Sequence, residues 1–282
     1  MKLGVHAYAW CSQWSNDTLD IVDRVKRLGL DFVEIPLMRL DTFDGPAIRR
    51  RLRDAGLTAV TSTVLFAHND ITNPDPEVRA KGVDYLKRCV LAASEIDAPF
   101  VSGVTYSQHV KPSPTPPTEV EWRYAADALR EVARFAQGSG IQVSLEPVNR
   151  YESYLVNTSE QAMRLREMVG EPNVKVHLDT YHMNIEEKDL YQATMLAAEH
   201  LVHLHLSESD RGIPGTALVH WDDLFRALKE INYQGFAALE SFADMTTNMN
   251  TWTWRQLAPD SDTLVLQGAQ FVRDMMRKHG LK

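Results

Sequence analysis

Four apolar stretches of this 282-residue chain each lead to a side chain that can bind a divalent metal ion. These side chains are Glu146, Asp179, His205 and Glu240, and each stands at or near the carboxyl end of a run typical of a buried strand. Together they form a mixed set of oxygen and nitrogen ligands. Such a set suits Mn²⁺, Co²⁺ or Mg²⁺ better than structural zinc, which prefers cysteine and histidine.

Two of these carboxylates could also move protons. Glu146 and Glu240 follow the fifth and eighth apolar runs, which lie well apart on an eight-stranded ring. Two glutamates on opposite faces of a substrate can act as base and acid, while a metal that holds adjacent substrate oxygens stabilises an enediolate. Taking a proton from one face and returning one to the other inverts a carbon next to a carbonyl. For either glutamate alone, a salt bridge at the rim is the alternative.

The elements that must position these residues alternate along the whole chain. Apolar runs predict eight strands: Leu3–Ala7, Phe32–Ile35, Leu57–Leu65, Phe100–Val104, Ile141–Leu145, Val174–Leu178, Leu201–Leu206 and Phe236–Leu239. Apolar spacings of three and four predict the helices between and after them: Thr18–Leu28, Asp44–Ala55, Val78–Ile96, Val120–Phe135, Ser159–Val169, Asp189–Ala198, Trp221–Ile231 and Leu264–His279.

Eight such units predict an α/β fold, a single (β/α)8 TIM barrel over residues 1–282, with the four ligands at its carboxyl-terminal rim. The alternative is a doubly wound open sheet. No Gly-x-Gly-x-x-Gly follows the first strand, so a dinucleotide site has no support. The segment Phe242–Asp260 after the last strand is long for a loop of this kind, and long rim loops usually shape a pocket or an interface.

Composition and charge exclude several classes of function. The net charge of −8, from 30 basic and 38 acidic residues, argues against a nucleic-acid partner, whose binding depends on neutralising phosphates. No run of 18 apolar residues predicts a membrane span, and the amino-terminal residues are typical of a strand, not of a signal peptide. The two cysteines form no motif, so we expect a reducing, cytoplasmic environment.

Several polar side chains stand close to the predicted rim. An arginine such as Arg211 can hydrogen-bond a substrate carbonyl or hydroxyl, and Glu152 could accept from a sugar hydroxyl. His182 falls past the end of the sixth strand and could reach a substrate. His6, near the end of the first strand, could line the pocket or form a hydrogen bond in the core. Singly, each charged residue is more often a solvated loop residue.

The histidines and aromatic residues near the predicted rim could likewise line the pocket or pack in the core. His177 and His203 each stand two residues before an expected ligand and so share its face of the strand. We expect both to lie one layer deeper. Sugars pack against aromatic rings, but a ring near a barrel end is a core residue at least as often. The candidates are Trp10, Trp14, Phe66, Tyr106 and Phe242.

Four motifs carry a resemblance to a known family. They are LEPVNRYE at 145–152, LDTYHMNIEE at 178–187, HLHLSESDRGIPG at 203–215 and LESF at 239–242. With the opening GVHAYAW and VEIPLM, they resemble the ketose 3-epimerases (D-tagatose, D-allulose and L-ribulose 3-epimerases) of the xylose-isomerase-like TIM barrels. The spacings of 33, 26 and 35 residues between the four expected ligands match that family, and the likeness covers nearly the whole chain.

The resemblance implies a specific role for each of these residues. Glu146, Asp179, His205 and Glu240 would bind one Mn²⁺, Co²⁺ or Mg²⁺, with Glu146 and Glu240 also acting as the acid/base pair at C3 of a free ketose. Members of the family are typically homodimers or homotetramers. The residues implied to contact the substrate are Glu152, His182 and Arg211 at the O1–O2 end, and His6, Trp14, Phe66 and Phe242 near the C4–C6 end.

Two departures from the family pattern concern the sugar rather than the metal. His6 stands where the tagatose-type enzymes carry phenylalanine, and the PGxG after Arg211 becomes Pro214-Gly215-Thr216-Ala217. The preferred sugar therefore stays open. Alternatives are an isomerase or lyase that acts on another keto-sugar or a 3-keto-glycoside, a hydrolase of the apurinic-endonuclease type, and a catalytically silent sugar- or protein-binding barrel.

Overall fold

Eight parallel strands close into a barrel in chain order in this computed structural model, which describes residues 1–242 and 255–281. The strands are β1 (Lys2–His6), β2 (Phe32–Pro36), β3 (Thr58–Leu65), β4 (Phe100–Gln108), β5 (Gln142–Leu145), β6 (Val174–Asp179), β7 (Leu201–Leu206) and β8 (Phe236–Leu239). β8 pairs with β1 and completes the ring. The predicted (β/α)8 TIM barrel is confirmed.

Nine α-helices are described around this barrel. They are α1 (Asp20–Arg27), α2 (Gly45–Ala55), α3 (Pro76–Glu95), α4 (Glu119–Gln137), α5 (Ser159–Val169), α6 (Thr180–Glu186), α7 (Leu190–Ala197), α8 (Trp221–Glu230) and α9 (Ser261–His279). Eight correspond to predicted helices with ends moved by a few residues. Helix endings follow the turn chemistry of the chain; Gly170, for example, ends α5 with a left-handed φ of 71°.

The sequence did not predict α6, which begins directly where β6 ends. Asp179 is both the last residue of β6 and the amino-terminal cap of α6, because its Oδ1 accepts from the N–H of Tyr181 at 2.7 Å. The helix has seven residues, too few to show an apolar periodicity. It brings His182 over the rim of the barrel.

Several strand ends differ from prediction by one residue or more, and those of β1 and β4 have an identifiable cause or consequence. β1 ends at His6 and not at Ala7, because Ala7–Ala9 form a 3-10 turn that starts when His6 Nδ1 accepts from the N–H of Tyr8 at 3.1 Å. β4 continues four residues past the predicted end at Val104, to Gln108, where it pairs with Leu65 of β3.

The inside of the barrel is layered. Its floor is aromatic, with Phe32, Phe100 and Phe236 packed ring against ring at 5.1 and 5.6 Å between centroids. Above it lies a buried polar layer that contains Glu34, Ser102, His177 and His203, and the four expected ligands stand above that layer at the rim. Parallel strands covered on both faces are usually apolar throughout. Packing alone therefore does not explain why this barrel has polar residues in its interior.

Some expectations fall outside what the structure describes. Residues 243–254 of the expected long loop Phe242–Asp260 lie outside the described residues. Among the described helices, none is both long and apolar enough to cross a membrane. The assignment of residues 1–282 to one domain stays a prediction.

Candidate metal centre and active site

The four expected ligands meet around one nitrogen atom. His205 Nδ1 lies 3.3 Å from Glu240 Oε2, 3.4 Å from Glu146 Oε1 and 3.9 Å from Asp179 Oδ2. Among the described residues, this buried nitrogen has no hydrogen-bond partner. Three carboxylate oxygens directed at an unpartnered imidazole nitrogen form a donor set that fits one divalent cation.

The strand register explains why these side chains converge. Asp179 and His205 are paired neighbours on β6 and β7. His205 is also paired with Ala238 of β8, which puts Glu240 two residues beyond that pair and on the same face. Glu146 follows β5 directly, and its N–H donates to the carbonyl of Gly103 on β4 at 3.2 Å. Parallel strands present all four side chains at one rim.

Arg211 reaches into this cluster from the loop after β7. Its Nη1 donates to Glu240 Oε2 at 2.6 Å, to Ser207 Oγ at 2.7 Å and to Asp179 Oδ2 at 2.8 Å. The guanidinium lies over the ring of Tyr181, 4.0 Å from its centroid. Each carboxylate oxygen has two lone pairs, so these hydrogen bonds leave room for a cation on the same atoms.

The two glutamates experience opposite electrostatic environments. Burial raises the pKa of Glu146, and the charge of His205, whose Nδ1 lies 3.4 Å from Glu146 Oε1, offsets this only in part. Burial also disfavours the charged form of Glu240, but the positive charges of His205 and Arg211 outweigh it and hold the pKa of Glu240 well below its usual range. A pair of carboxyl groups whose pKa values are pushed apart is typical of an acid/base pair.

A cavity of about 400 Å³ opens over Glu146 and Glu240. This volume lies in the range of small-molecule sites. Its wall includes apolar side chains, among them Val64, Phe66 and Phe242. The polar residues that line it are His109, Glu152, Tyr181, His182 and Arg211. A ligand in the cavity would therefore meet both polar and apolar side chains.

Glu152 and His182 are fixed by a shared neighbour. Asn149 Nδ2 donates to Glu152 Oε1 at 2.9 Å, and the N–H of Asn149 donates to His182 Nδ1 at 3.1 Å. Burial lowers the pKa of His182 to about 3, so its ring is neutral. Burial raises the pKa of Glu152, but the hydrogen bond with His109 and the charge of Arg211 outweigh burial and bring it to about 2. The cavity therefore offers an ionised acceptor beside a neutral imidazole.

Two of the expected substrate contacts do not line this cavity. Trp14 is buried in the hydrophobic core beside the barrel. His6 is buried in the polar layer, where its Nε2 lies 3.1 Å from Ser62 Oγ. The five others do line it, with Phe66 41% exposed at the mouth. The histidine at position 6, where the tagatose-type enzymes carry phenylalanine, therefore belongs to the polar layer below the rim and not to the cavity wall.

Comparisons with known proteins agree with this geometry. A family model described as a xylose isomerase-like TIM barrel matches residues 22–275. The chain is 36% identical to a ketose 3-epimerase of Arthrobacter globiformis, with 98% of this chain and 97% of that protein covered. It is 32% identical to an L-ribulose 3-epimerase of Methylomonas sp., with 97% of each covered. The chain belongs to the ketose 3-epimerase family.

A solved structure of a family member supports the assignment at the level of the fold. A D-allulose 3-epimerase from Methylomonas sp., in complex with D-allulose, superimposes with a TM-score of 0.92 at 32% identity, over 98% of this chain and 97% of that one. The resemblance that the motifs indicate is therefore confirmed. This member of the ketose 3-epimerase family is accordingly an isomerase-class enzyme.

The sequence analysis did not identify one buried residue that contacts the candidate metal ligand His205 in this epimerase-family protein. Glu34, in the middle of β2, is completely buried, and its Oε2 accepts from His203 Nε2 at 2.7 Å and from His205 Nε2 at 2.9 Å. Burial raises its pKa, but the neighbouring histidines outweigh burial and hold the pKa of Glu34 well below its usual range. The available signal was a glutamate inside an apolar strand, since a glutamate is rarely buried unless it is paired.

The cavity also has lining residues that the sequence reasoning did not select. They are Tyr8, Ser12, Gln13, Met38, Arg39, Val64, Val104, His109, Val148 and Tyr181. Most of them lie in loops or at strand ends whose positions depend on the closed barrel. Of these, His109 has the clearest role, because its Nε2 lies 3.0 Å from Glu152 Oε2.

Proposed function

We propose that the enzyme inverts C3 of a free ketose with the help of one bound divalent cation. The interconversions we expect are those between D-fructose and D-allulose, D-tagatose and D-sorbose, or L-ribulose and L-xylulose. The observation that carries the proposal is the placement of Glu146 and Glu240 beside one unpartnered His205 nitrogen, at the base of a sugar-sized cavity. The names of the relatives, which are 3-epimerases of ketoses, support the same chemistry.

The environments of the two glutamates assign their starting roles. Glu240, whose pKa is held low by His205 and Arg211, begins ionised and takes the proton from C3. The electron pair left on C3 forms a double bond with C2, and the C2 carbonyl oxygen takes up the negative charge to give an enediolate. Glu146, whose pKa is raised by burial, returns a proton to the opposite face of C3. In the reverse reaction the two glutamates exchange roles.

Glu146, Asp179, His205 and Glu240 would hold the cation. When bound, it would supply a Lewis acid that stabilises the negative charge of the enediolate. The mixture of carboxylates with one imidazole favours Mn²⁺ or Co²⁺, with Mg²⁺ as a third candidate. His205 Nδ1 would contribute the nitrogen donor, since this nitrogen faces the three carboxylates.

The remaining cavity residues would orient the ketose. Glu152 is ionised and can accept a hydrogen bond from a hydroxyl group at the O1–O2 end, where His182 and Arg211 also lie. Phe66 and Phe242 would pack against the C4–C6 end. Because the four ligands are buried, the carbon that loses its proton would be shielded from bulk water.

We further propose a cytoplasmic homodimer or homotetramer. The proposal rests on the family resemblance, because single exposed side chains such as Tyr151 and Leu218 do not by themselves mark an interface. Light scattering during gel filtration would test this: a dimer or tetramer is expected, and a monomer at micromolar concentration would contradict it.

A panel of free ketoses tests the proposed reaction. The protein is treated with a chelator, reloaded with Mn²⁺ or Co²⁺, and incubated with each ketose before chromatography of the products. We expect the C3 epimer of at least one ketose, formed only with metal. Formation of an aldose instead would indicate an aldose–ketose isomerase. If no ketose reacts but a 3-keto-glycoside is cleaved, the enzyme is a lyase and the proposal is wrong.

A further inference from the structure

Below the rim, the barrel holds a carboxylate whose described polar partners are all histidines. Glu34 Oε2 accepts from His203 and His205, and Glu34 Oε1 lies 3.8 Å from His6 Nε2. No lysine or arginine is within ion-pair distance of Glu34 in the part of the chain that the structure describes. A fully buried carboxylate is costly to retain, so its hydrogen bonds to the ligand layer need an explanation beyond packing.

The hydrogen bond from His205 decides which of its ring nitrogens can bind a cation. An ionised carboxylate only accepts hydrogen bonds, so the nitrogen 2.9 Å from Glu34 Oε2 must carry the hydrogen. That nitrogen is Nε2. Binding a cation requires a neutral ring, and in that state the lone pair lies on the other nitrogen, Nδ1, which faces Glu146, Asp179 and Glu240.

His203 fixes the carboxylate from the other side. Its Nε2 donates to the same oxygen at 2.7 Å, while its Nδ1 lies 3.3 Å from the carbonyl oxygen of Phe236. The residue is completely buried, and its ring packs against the ring of His205 with 5.0 Å between centroids. Glu34 is thus held in the orientation that presents Oε2 to His205.

We propose that Glu34 is a positioning residue for the metal centre: its hydrogen bond with His205 Nε2 fixes the ring orientation and tautomer that direct Nδ1 at the cation. This inference rests on the proposed function, since it assigns Glu34 a task in that same site. Partners that hydrogen-bond a ligating histidine typically change metal affinity about 10- to 100-fold when they are replaced.

A different use of the same residues is a cation bound among the histidines. His177, His203 and His205 have ring nitrogens within 4.8 Å of one another. Nε2 of His203 and of His205 already contact Glu34 Oε2, and His203 Nδ1 lies 3.3 Å from the carbonyl oxygen of Phe236. His177 Nδ1 is also engaged, 2.8 Å from Ser102 Oγ. The hydrogen-bonded layer therefore favours a supporting role for these histidines, and the experiment separates the two roles.

The test measures metal affinity directly, without activity. Mn²⁺ binding to the wild-type protein and to Glu34→Gln is measured by competition with a chromogenic chelator. The variant keeps the size of the side chain but loses its charge and one acceptor oxygen. We expect the variant to bind Mn²⁺ about 10- to 100-fold more weakly than the wild type. Its circular dichroism spectrum should match that of the wild type, and so should its Michaelis constant for the ketose at saturating Mn²⁺.

The matched control removes another buried hydrogen bond from the barrel wall. Thr61 is completely buried, and its Oγ1 donates to the carbonyl of Phe100 at 2.7 Å. Thr61→Val deletes this bond at nearly constant volume without touching Glu34 or the ligands. We expect Mn²⁺ affinity within about twofold of the wild type. Equal weakening in Thr61→Val and Glu34→Gln would show a general effect of core damage and would overturn the proposal.

A measurement on the wild-type protein keeps the test valid if Glu34→Gln does not fold. Nitrogen NMR of histidine-labelled protein loaded with Mg²⁺, which is diamagnetic, reports the protonation of each ring nitrogen; His205 is assigned by the signal lost in His205→Gln. A protonated Nε2 on His205 is expected, and an unprotonated Nε2 overturns the proposal. If Glu34→Gln folds and binds Mn²⁺ as tightly as the wild type, and the wild type is active, only the proposed role of Glu34 is wrong. If the wild type binds no divalent cation, the proposed function itself fails.

Discussion

Glu146 and Glu240 have the same side chain but different electrostatic environments in this barrel. Glu240 has the guanidinium of Arg211 at 2.6 Å, whereas burial dominates around Glu146. Both carboxylates approach the same His205 nitrogen. A two-base inversion requires one group that accepts a proton and another that gives one, and the opposite shifts of the two pKa values are the reason why we propose Glu240 and Glu146 for these roles.

Replacing either glutamate should stop proton transfer while the barrel still folds. We expect Glu146→Gln and Glu240→Gln each to lower the epimerisation rate by roughly 10²- to 10⁴-fold, the usual contribution of general acid–base catalysis. Product formation with excess Mn²⁺ measures this, and circular dichroism checks the fold. Glu199→Gln, an exposed surface change, is the control and should have wild-type activity. Wild-type rates in either site variant would remove that residue from catalysis.

Glu152 makes a prediction about acid stability. Its pKa is about 2 in the folded protein against an ordinary value of 4.5, so folding favours its ionised form. This contribution, at most about 3 kcal/mol, is complete above pH 4.5 and is lost as the pH falls from 4.5 towards 2. Urea unfolding of the wild type and Glu152→Gln should therefore differ most above pH 5 and converge in acid. A difference that does not depend on pH would contradict this.

At the scale of elements, the loop after β7 is organised by a second buried carboxylate. Glu208 Oε1 accepts from the N–H groups of Ser209 and Val219 at 2.8 and 3.0 Å. Its Oε2 accepts from the N–H of Gly215 at 2.8 Å and from Trp221 Nε1 at 3.0 Å. The loop holds Arg211, which has a left-handed φ of 63°, over the ligands.

Glu208→Gln should loosen this loop. The amide nitrogen of glutamine cannot accept hydrogen bonds, so two of the four donors lose their partner, at about 1–3 kcal/mol for each. We expect the free energy of unfolding to fall by about 2–5 kcal/mol and the Michaelis constant for the ketose to rise as Arg211 moves. Denaturant titration and steady-state kinetics measure the two effects. Glu167→Gln, exposed on α5, is the control. Unchanged stability in Glu208→Gln would contradict this account of the loop.

The altered PGxG segment lies in the same loop and has a structural explanation. Gly215 has a left-handed φ of 89°, and a Cβ there would meet the ring of Phe271 at 2.4 Å, so this glycine is required. Thr216 occupies the next position and donates from Oγ1 to the carbonyl of Ile213 at 2.7 Å. The loop therefore closes through a side-chain hydrogen bond near the place where the family pattern has its second glycine.

The sequence predicted the barrel because each strand has an apolar run and each helix an apolar stripe. It also predicted the location of the four rim residues, since parallel strands bring their carboxyl ends together. It did not predict α6, which is too short for a periodic signal, or the pairing of Glu34 with His205, which are 171 positions apart. Trp14 was expected at the sugar but lies in the core, because an aromatic residue near a strand end suits either place.

At the scale of the whole molecule, metal binding should stabilise the folded state. The rim brings together three buried carboxylates, and burial raises the pKa of Asp179 to about 7 despite the charge of Arg211. A cation that binds only the folded protein adds about 2.7 kcal/mol at one hundred times its dissociation constant. On this proposal, binding of the cation and folding of the barrel are thermodynamically coupled.

We therefore expect Mn²⁺ to raise the unfolding temperature by roughly 5 °C or more, and a chelator to reverse this. Differential scanning calorimetry measures the shift. His205→Gln, which lacks the nitrogen donor, should lose most of it, whereas Thr61→Val should retain it. An equal shift in His205→Gln and the wild type would place the cation elsewhere.

The most direct test of the central claim is the position at which a ketose exchanges hydrogen with the solvent. The Mn²⁺-loaded enzyme is incubated with the best ketose in D₂O, and the sugars are analysed by proton and carbon NMR after the metal has been removed. Inversion at C3 together with deuterium at C3 is the predicted result, and both should be absent in Glu146→Gln and Glu240→Gln. Deuterium at C1, or an inverted product without deuterium from the solvent, would contradict the proposed two-glutamate mechanism.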